Sequence, residues 1–177
     1  QRLLTIAFQG AVARVHPPVA LDRLELSWSP FTRLSVERED LTMVYLTQSF
    51  EFAAAHRLHC ADLAPEENTR LFGKCSNPNG HGHNYILEVT ISNPLRQPGI
   101  TIPELDRAVR ASVLEPFDHK NLNVECADFA TLNPTVENIA RVIWRRLRGV
   151  VRPARLARVR VWETGKTYAE CDGDNQP

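Results

Sequence analysis

The chain has no surplus of either charge: 21 Lys and Arg balance 21 Asp and Glu over 177 residues. That balance removes net charge as a reason to expect a nucleic acid or a membrane surface as partner. No apolar run approaches the length of a membrane-spanning helix. Arg2-Leu3-Leu4-Thr5-Ile6-Ala7-Phe8 is too short and too soon interrupted to be a signal peptide. Cysteine is sparse, and Cys60, Cys75, Cys126 and Cys171 show no disulfide pattern, which points to a reducing, cytoplasmic setting. No Cys-x-x-Cys pair occurs, so the usual four-ligand structural zinc site is absent. What remains is ordinary: a hydrophobic share of 43% supports a sizeable core in one domain, with room for an appendage.

Against that background stands Phe72-Gly73-Lys74-Cys75-Ser76-Asn77-Pro78-Asn79-Gly80-His81-Gly82-His83-Asn84. Glycines and a proline shape its backbone, and two histidines at i and i+2 follow a cysteine. Tyr85-Ile86-Leu87-Glu88-Val89-Thr90-Ile91 then reads as a strand, rich in β-branched and aromatic residues. If His81 and His83 open that strand, its period of two turns both imidazoles to one side. Gly82 between them leaves the other face bare for a bulky neighbour. Two imidazoles on one side are half of a metal site, and imidazole suits zinc. The third ligand is sought on a neighbouring strand. Ser49-Phe50-Glu51-Phe52-Ala53-Ala54-Ala55-His56-Arg57-Leu58 ends a strand-like run begun near Thr42, and antiparallel pairing would set His56 opposite the other two. Three histidines without a fourth protein ligand leave one position open, as in catalytic rather than structural sites. Any one of these histidines alone reads as an ordinary core or surface residue; the His-Gly-His spacing beside Cys75 turns the reading to metal.

FGKCSNPNGHGHNY, with FEFAAAHRL before it and Pro116-Phe117-Asp118-His119-Lys120-Asn121-Leu122 after it, resembles the 6-pyruvoyl tetrahydropterin synthase and 6-carboxytetrahydropterin synthase family, from about Met43 to about Asp172. The resemblance implies zinc held by His56, His81 and His83, with Cys75 as catalytic base. It makes Asp118 and His119 the rest of the proton-transfer set, and Glu163 the carboxylate that anchors the pterin. Thr135, in Asn133-Pro134-Thr135-Val136-Glu137, would border the pterin pocket besides capping a helix. Asp beside His can orient an imidazole and stabilise its charged form, although alone the pair reads as a helix end. The implied fold is α+β, the tunnelling fold (T-fold): a four-stranded antiparallel sheet with two helices on one face. Subunits of the family join by their sheets into barrels, with trimers stacked into a homo-oligomeric hexamer. The implied substrate is 7,8-dihydroneopterin triphosphate, a small molecule, and the reaction is triphosphate elimination by a lyase. Lys74 or the metal is expected to lower the Cys75 pKa. The five residues between Cys75 and His81 look like the pyruvoyl-forming synthases, whereas the Asn-Pro-Thr-x-Glu turn looks like the carboxy-forming branch of queuosine biosynthesis. Tetrahydrobiopterin biosynthesis is the leading reading, the carboxy product the alternative, and a non-catalytic zinc-binding subunit the reading from another class.

The resemblance places the zinc-dependent synthase domain at residues 41–177 and leaves residues 1–40 as an N-terminal extension. The first residue is Gln1 rather than Met, which fits a start lying further upstream. Residues 1–40 align without gaps to the chain's end at an offset of 135, with Pro18, Leu21 and Arg23 over Pro153, Leu156 and Arg158. The extension is therefore expected to be the last helix and hairpin of a preceding T-fold unit, with Trp28 where Glu163 would be.

Further along, Leu41 to Cys60 is expected as a strand, and Pro65-Glu66-Glu67-Asn68 as a short helix start. Asn93-Pro94 with Gln97-Pro98-Gly99 is expected as a turn. Pro103-Glu104 opens a helix with Leu105, Val109 and Val113 on its apolar side, continued by Leu114 and Phe117. A second helix carries Ile139, Val142, Ile143 and Leu147 inward, a strand follows from Leu156 to Glu163, and the last residues from Asp172 should fray. Eight arginines lie between Arg141 and Arg160. They read as a solvated face, while Arg57 and Lys74 are favoured for phosphate contact. His59 and Cys60 are read as structural.

Overall fold

The computed structural model describes residues 2–16, 18–95, 97 and 99–173. The elements run α1 (Arg2–Val12), β1 (Arg23–Ser29), β2 (Thr32–Glu37), β3 (Asp40–His56), α2 (Pro65–Phe72), β4 (His81–Pro94) and α3 (Ile102–Val109). They continue with α4 (Glu115–Phe117), β5 (Lys120–Asn121), α5 (Leu122–Glu125), α6 (Val136–Leu147), β6 (Arg155–Thr164) and β7 (Thr167–Cys171). Two long strands form the axis. Every second residue of β3 from Val44 to His56 is buried, and Tyr85, Leu87, Val89 and Ile91 of β4 lie beside them on the same face. Such alternation is what a strand with one covered face requires. The two strands pair antiparallel without a slip from Met43 opposite Pro94 to His56 opposite His81. Helices α3, α4 and α6 roof this face with Leu105, Val109, Phe117, Ile139, Ile143 and Leu147, so both imidazole-bearing strand ends sit at the rim of one core.

The sheet is longer than the four strands expected. Its order is β1-β2-β3-β4-β6-β7, with β5 pairing β3 in parallel at Ala54 and Ala55. β3, β4, β6 and β7 are the expected four, and the N-terminal hairpin extends them from the β3 side. A smaller core of Leu4, Phe8, Val36 and Val44 seats α1 on that extension.

The sheet's other face is polar. Arg33 reaches Glu88 at 2.7 Å, and Arg160 reaches Glu170 at 2.6 Å and Glu88 at 3.6 Å. Linked, partly shielded pairs of this kind hold more firmly than isolated surface pairs. Arg158 and Arg160 thus leave the solvated run expected of the arginines, whereas Arg141 and Arg145 on α6, and Arg148 just after it, stay exposed.

Three local readings change. Asn93 and Pro94 belong to β4, not to a turn, because Leu95 donates its N–H to the Thr42 carbonyl at 2.7 Å and holds the strand to its end. Pro98 of that turn, and residues 174–177 of the expected frayed end, lie outside the described residues. The register of β6 slips between Arg158 and Leu156, and the bulge keeps Leu156 against the core despite its odd spacing from Val159. Among the described residues no helix is long and apolar enough to cross a membrane.

Candidate metal centre and its surroundings

His56 ends β3, His81 begins β4, and the two are cross-strand partners; His83 pairs with Ala54 two residues along. One register therefore sets all three rings on one face. The Nε2 atoms of His56 and His81 lie 3.2 Å apart, and one ligand atom from each of the three residues falls within 4.8 Å of the others. The three histidines thus form a group that can hold a metal ion. The tight turn that brings β4 back to β3 depends on Gly80. Its φ is +71°, and a Cβ there would stand 3.0 Å from the His56 carbonyl oxygen.

The rings have features that suit metal binding. His56 is fully buried, and its Nδ1 lies 2.7 Å from the Pro134 carbonyl oxygen. A carbonyl can only accept, so the proton is on Nδ1 and the Nε2 lone pair faces the other two rings. Burial pushes the pKa of His56 and of His83 down, favouring the neutral form that binds metal. His83 Nε2 and His81 Nδ1 are buried without a hydrogen-bond partner. Thr135 acts one step back: its hydroxyl caps α6 by accepting from the Asn138 N–H at 3.3 Å. The Asn138 side chain then donates to the Asn133 carbonyl at 2.8 Å, fixing the turn that presents Pro134.

Glu163 joins this group, its Oε1 3.6 Å from His56 Nε2 and 3.8 Å from His83 Nε2. The β6–β7 register slips between Trp162 and Thr164, so Glu163 sits at a bulge. Bulges commonly re-aim a side chain beside a functional site. Cys75 lies on the single helical turn Gly73–Ser76, stitched to the segment after His56 by Leu58 N–H to Cys75 carbonyl (2.8 Å) and Arg57 Nε to Ser76 carbonyl (3.1 Å). Burial and then the Glu163 carboxylate push its thiol above the ordinary value. Lys74 is thus not the group that lowers it, against one expectation: the protein charge reaching this sulfur is Glu163's. Lys74 instead lines, with Arg57 and His81, a cavity of about 600 Å³.

Asp118 and His119 are held elsewhere. Asp118 Oδ1 accepts the Ala53 N–H at 2.9 Å, which holds the carboxyl below its usual range, and the His119 N–H donates to the Ala53 carbonyl at 2.6 Å. The His119 ring lies 3.0 Å from Asp118 Oδ1, 82% exposed, on a backbone with φ of +58°. Among the described residues no hydrogen bond or ion pair joins His119 to Cys75 or the three histidines. It meets His83 only across a cavity of about 420 Å³ that also takes in Gly82 and Asn84. The bare face expected at Gly82 is this opening.

Sequence reasoning missed the supports. Pro134 acts through its carbonyl, and Tyr85, fully buried, stands edge-on to His56 with ring centroids 6.3 Å apart. The irregular backbone after β3 is gripped by asparagines. Asn123 bonds both backbone groups of Arg57 (2.7 and 3.0 Å), Asn133 the N–H of His59 (3.0 Å), and Asn68 both groups of Cys60 (2.8 and 2.9 Å). Asparagine is the residue type that replaces secondary structure in this way, which was the available signal. β3 stops at His56, so Arg57 to Cys60, expected within that strand, lie beyond it.

The family model for 6-pyruvoyl tetrahydropterin synthase matches residues 45–174. The chain belongs to the 6-pyruvoyl tetrahydropterin synthase family. It is 37% identical over 132 residues to the 6-pyruvoyl tetrahydrobiopterin synthase of Homo sapiens, spanning 73% of this chain and 91% of that protein. It is 30% identical over 151 residues to the 6-carboxy-5,6,7,8-tetrahydropterin synthase of Haemophilus influenzae, spanning 72% and 98%. The solved 6-pyruvoyl tetrahydropterin synthase of Caenorhabditis elegans superposes with a TM-score of 0.68 at 34% identity, over 74% of this chain and 96% of that one. This family member therefore has the T-fold, lengthened by its N-terminal helix and hairpin.

Proposed function

We propose that the chain is a zinc-dependent lyase that eliminates triphosphate from 7,8-dihydroneopterin triphosphate to give 6-pyruvoyl-tetrahydropterin. The observation that carries the reading is the convergence of His56, His81 and His83 with Glu163 and Cys75 at the rim of one core, in a chain of this family. The donor set fits zinc: three imidazoles, of which burial holds His56 and His83 toward the neutral form, one with its tautomer fixed, and a buried, unpartnered Nε2 on His83. Bound by these three, zinc would supply Lewis acidity toward the side-chain oxygens of the substrate.

The remaining chemistry belongs to the chain. Glu163 accepts hydrogen bonds from the amino-pyrimidine edge and fixes the ring, beside the Thr135 turn. Cys75, as thiolate, takes the carbon-bound proton. Arg57 and Lys74, on one cavity with His81, meet the triphosphate. Asp118 orients His119 to return the proton. The outward position of that pair supports a site completed against a neighbouring subunit, as a homo-oligomer of stacked trimers would provide. Four free thiols support a reducing, cytoplasmic setting.

A carboxy product is the second reading, favoured by the Haemophilus influenzae relative and by the Asn133-Pro134-Thr135 turn. Mass analysis of the products formed from 7,8-dihydroneopterin triphosphate by the zinc-loaded protein decides. Triphosphate release establishes the lyase, and the pterin mass separates the two products. No turnover by a folded, zinc-containing oligomer leaves a non-catalytic subunit. Cys75→Ala should keep zinc and lose turnover; a fully active variant overturns the role of Cys75.

A further inference from the structure

The helix and hairpin that open the chain repeat those that close it. At an offset of 135, α1 lies over α6, β1 over β6 and β2 over β7. The pairing repeats too. Leu24–Val36, Glu25–Ser35, Leu26–Leu34, Ser27–Arg33 and Ser29–Thr32 correspond, residue by residue, to Val159–Cys171, Arg160–Glu170, Val161–Ala169, Trp162–Tyr168 and Thr164–Thr167. Each hairpin slips register at the same place, at Trp28 and at Glu163. Leu4 and Phe8 are buried in α1 as Ile139 and Ile143 are in α6. A helix before a hairpin is commonplace, but a shared register and a shared bulge are not.

The copies differ in what covers them. In the closing copy β4 pairs with the outer edge of β6, Val161 faces Leu87, and Val161 and Leu147 are fully buried. Their counterparts Leu26 and Val12 are 46% and 37% exposed, and Trp28 beside them is 73% exposed. Among the described residues no strand pairs with the outer edge of β1. Apolar residues are thus exposed at the positions that the complete unit buries, along an edge ready to accept a strand.

We propose that residues 2–37 are the closing helix and hairpin of a second T-fold unit, and that the outer edge of β1, with Val12 and Leu26, receives that unit's counterpart of β4. The partner is an antiparallel strand of alternating apolar and polar residues, with its equivalent of Leu87 facing Leu26. β4 of another copy cannot serve, since β3 and β6 occupy both its edges. Trp28 at the bulge leaves the second unit without the carboxylate that Glu163 provides, so that unit completes the sheet and holds no pterin in this way. The inference stands apart from the catalytic reading.

The test compares the polypeptide isolated from its native source with the 177-residue chain by intact mass and hydrogen exchange. The native polypeptide should carry an upstream homologous unit, and its β1 amides should exchange roughly 100-fold more slowly than in the 177-residue chain, where an unpaired edge opens freely. Leu26→Glu should remove that protection in the native polypeptide while leaving the melting temperature of the shorter chain unchanged. A native polypeptide with no upstream unit overturns the proposal, as do β1 amides that exchange equally fast in both. So does protection that arises from a concentration-dependent dimer of the shorter chain.

Discussion

At the scale of single residues, position and chemistry can be separated by substitution. His119 occupies the left-handed region with φ of +58°, where a side chain costs about 1–2 kcal/mol that glycine does not. His119→Gly should therefore leave thermal stability unchanged or raise it by about 1 kcal/mol. Turnover should fall by a factor on the order of 100 or more if the ring moves a proton. A destabilised but active variant would mark His119 as a structural residue. Glu163 poses a sharper choice, because its carboxylate lies 3.6 Å from His56, one of the three histidines that can hold a metal. As a pterin anchor, Glu163→Gln should raise KM with metal content intact; loss of metal instead would make it a ligand. His81 and His83 were legible in the sequence because a two-residue spacing on a strand has one geometric meaning, and His56 because an antiparallel partner strand sets it opposite them; the role proposed for Cys75 rested on the family resemblance. The Pro134 carbonyl was not legible, because a main-chain atom leaves no residue-type signature.

At the scale of elements, the clearest case is the helix from Ile102 to Phe117. Leu105, Val109, Val113 and Phe117 are all buried at intervals of four, and on a regular helix each such step drifts about 40° around the axis. The structure absorbs the drift in a wide, π-type turn over Arg110–Leu114, just before Pro116. Proline has no N–H to offer the Ser112 carbonyl four residues back; Arg146 of α6 supplies the donor at 2.9 Å. The same guanidinium pairs with Asp128 and lies over the Phe117 ring at 4.9 Å. The apolar pattern made the helix legible, but not the wide turn, whose open Ser112 carbonyl is met by a donor from another element. Arg146→Met should cost about 1–3 kcal/mol in denaturant melts, since it strands a carbonyl and a carboxylate at once. The Arg146 bond holds the Asp128 carboxyl below its usual range. A folded pKa below the unfolded one means a contribution fully present above about pH 4 and lost as pH falls through the folded value. Asp128→Asn should therefore flatten the acid limb of the stability curve below that pH and leave a smaller deficit at neutrality; an unchanged acid limb would show that the pair contributes nothing there.

At the scale of the molecule, the sheet is read from its two ends. β3, β4 and β6 were legible from their β-branched, aromatic and alternating residues, whereas β7 was implied only by the fold of the family that the chain resembles. That the extension continues the same sheet was not legible, because strand neighbours are chosen by edges and not by residue type. β2 covers the edge of β3, setting Thr32 opposite Gln48, Arg33 opposite Thr47, Leu34 opposite Leu46 and Ser35 opposite Tyr45. By the repeat, Thr167, Tyr168, Ala169 and Glu170 of β7 hold the same places on their own hairpin, and β7 ends the sheet without a strand beyond it among the described residues. Removing residues 1–37 would uncover the β3 edge together with buried Val44 and Leu46 and take away the partly buried Leu34, while every buried residue of the larger core, which draws on β3 to β7 and their helices, is kept. An uncovered edge and a matching free edge on the same molecule are complementary and, repeated around an axis, close into a ring. The shortened chain should therefore sediment as a closed oligomer with slowed exchange at Thr42 to Gln48, through the contact that β2 makes within the intact chain. A shortened chain that stays folded and monomeric would show that the β2–β3 seam is particular to this extension and is not the join between units.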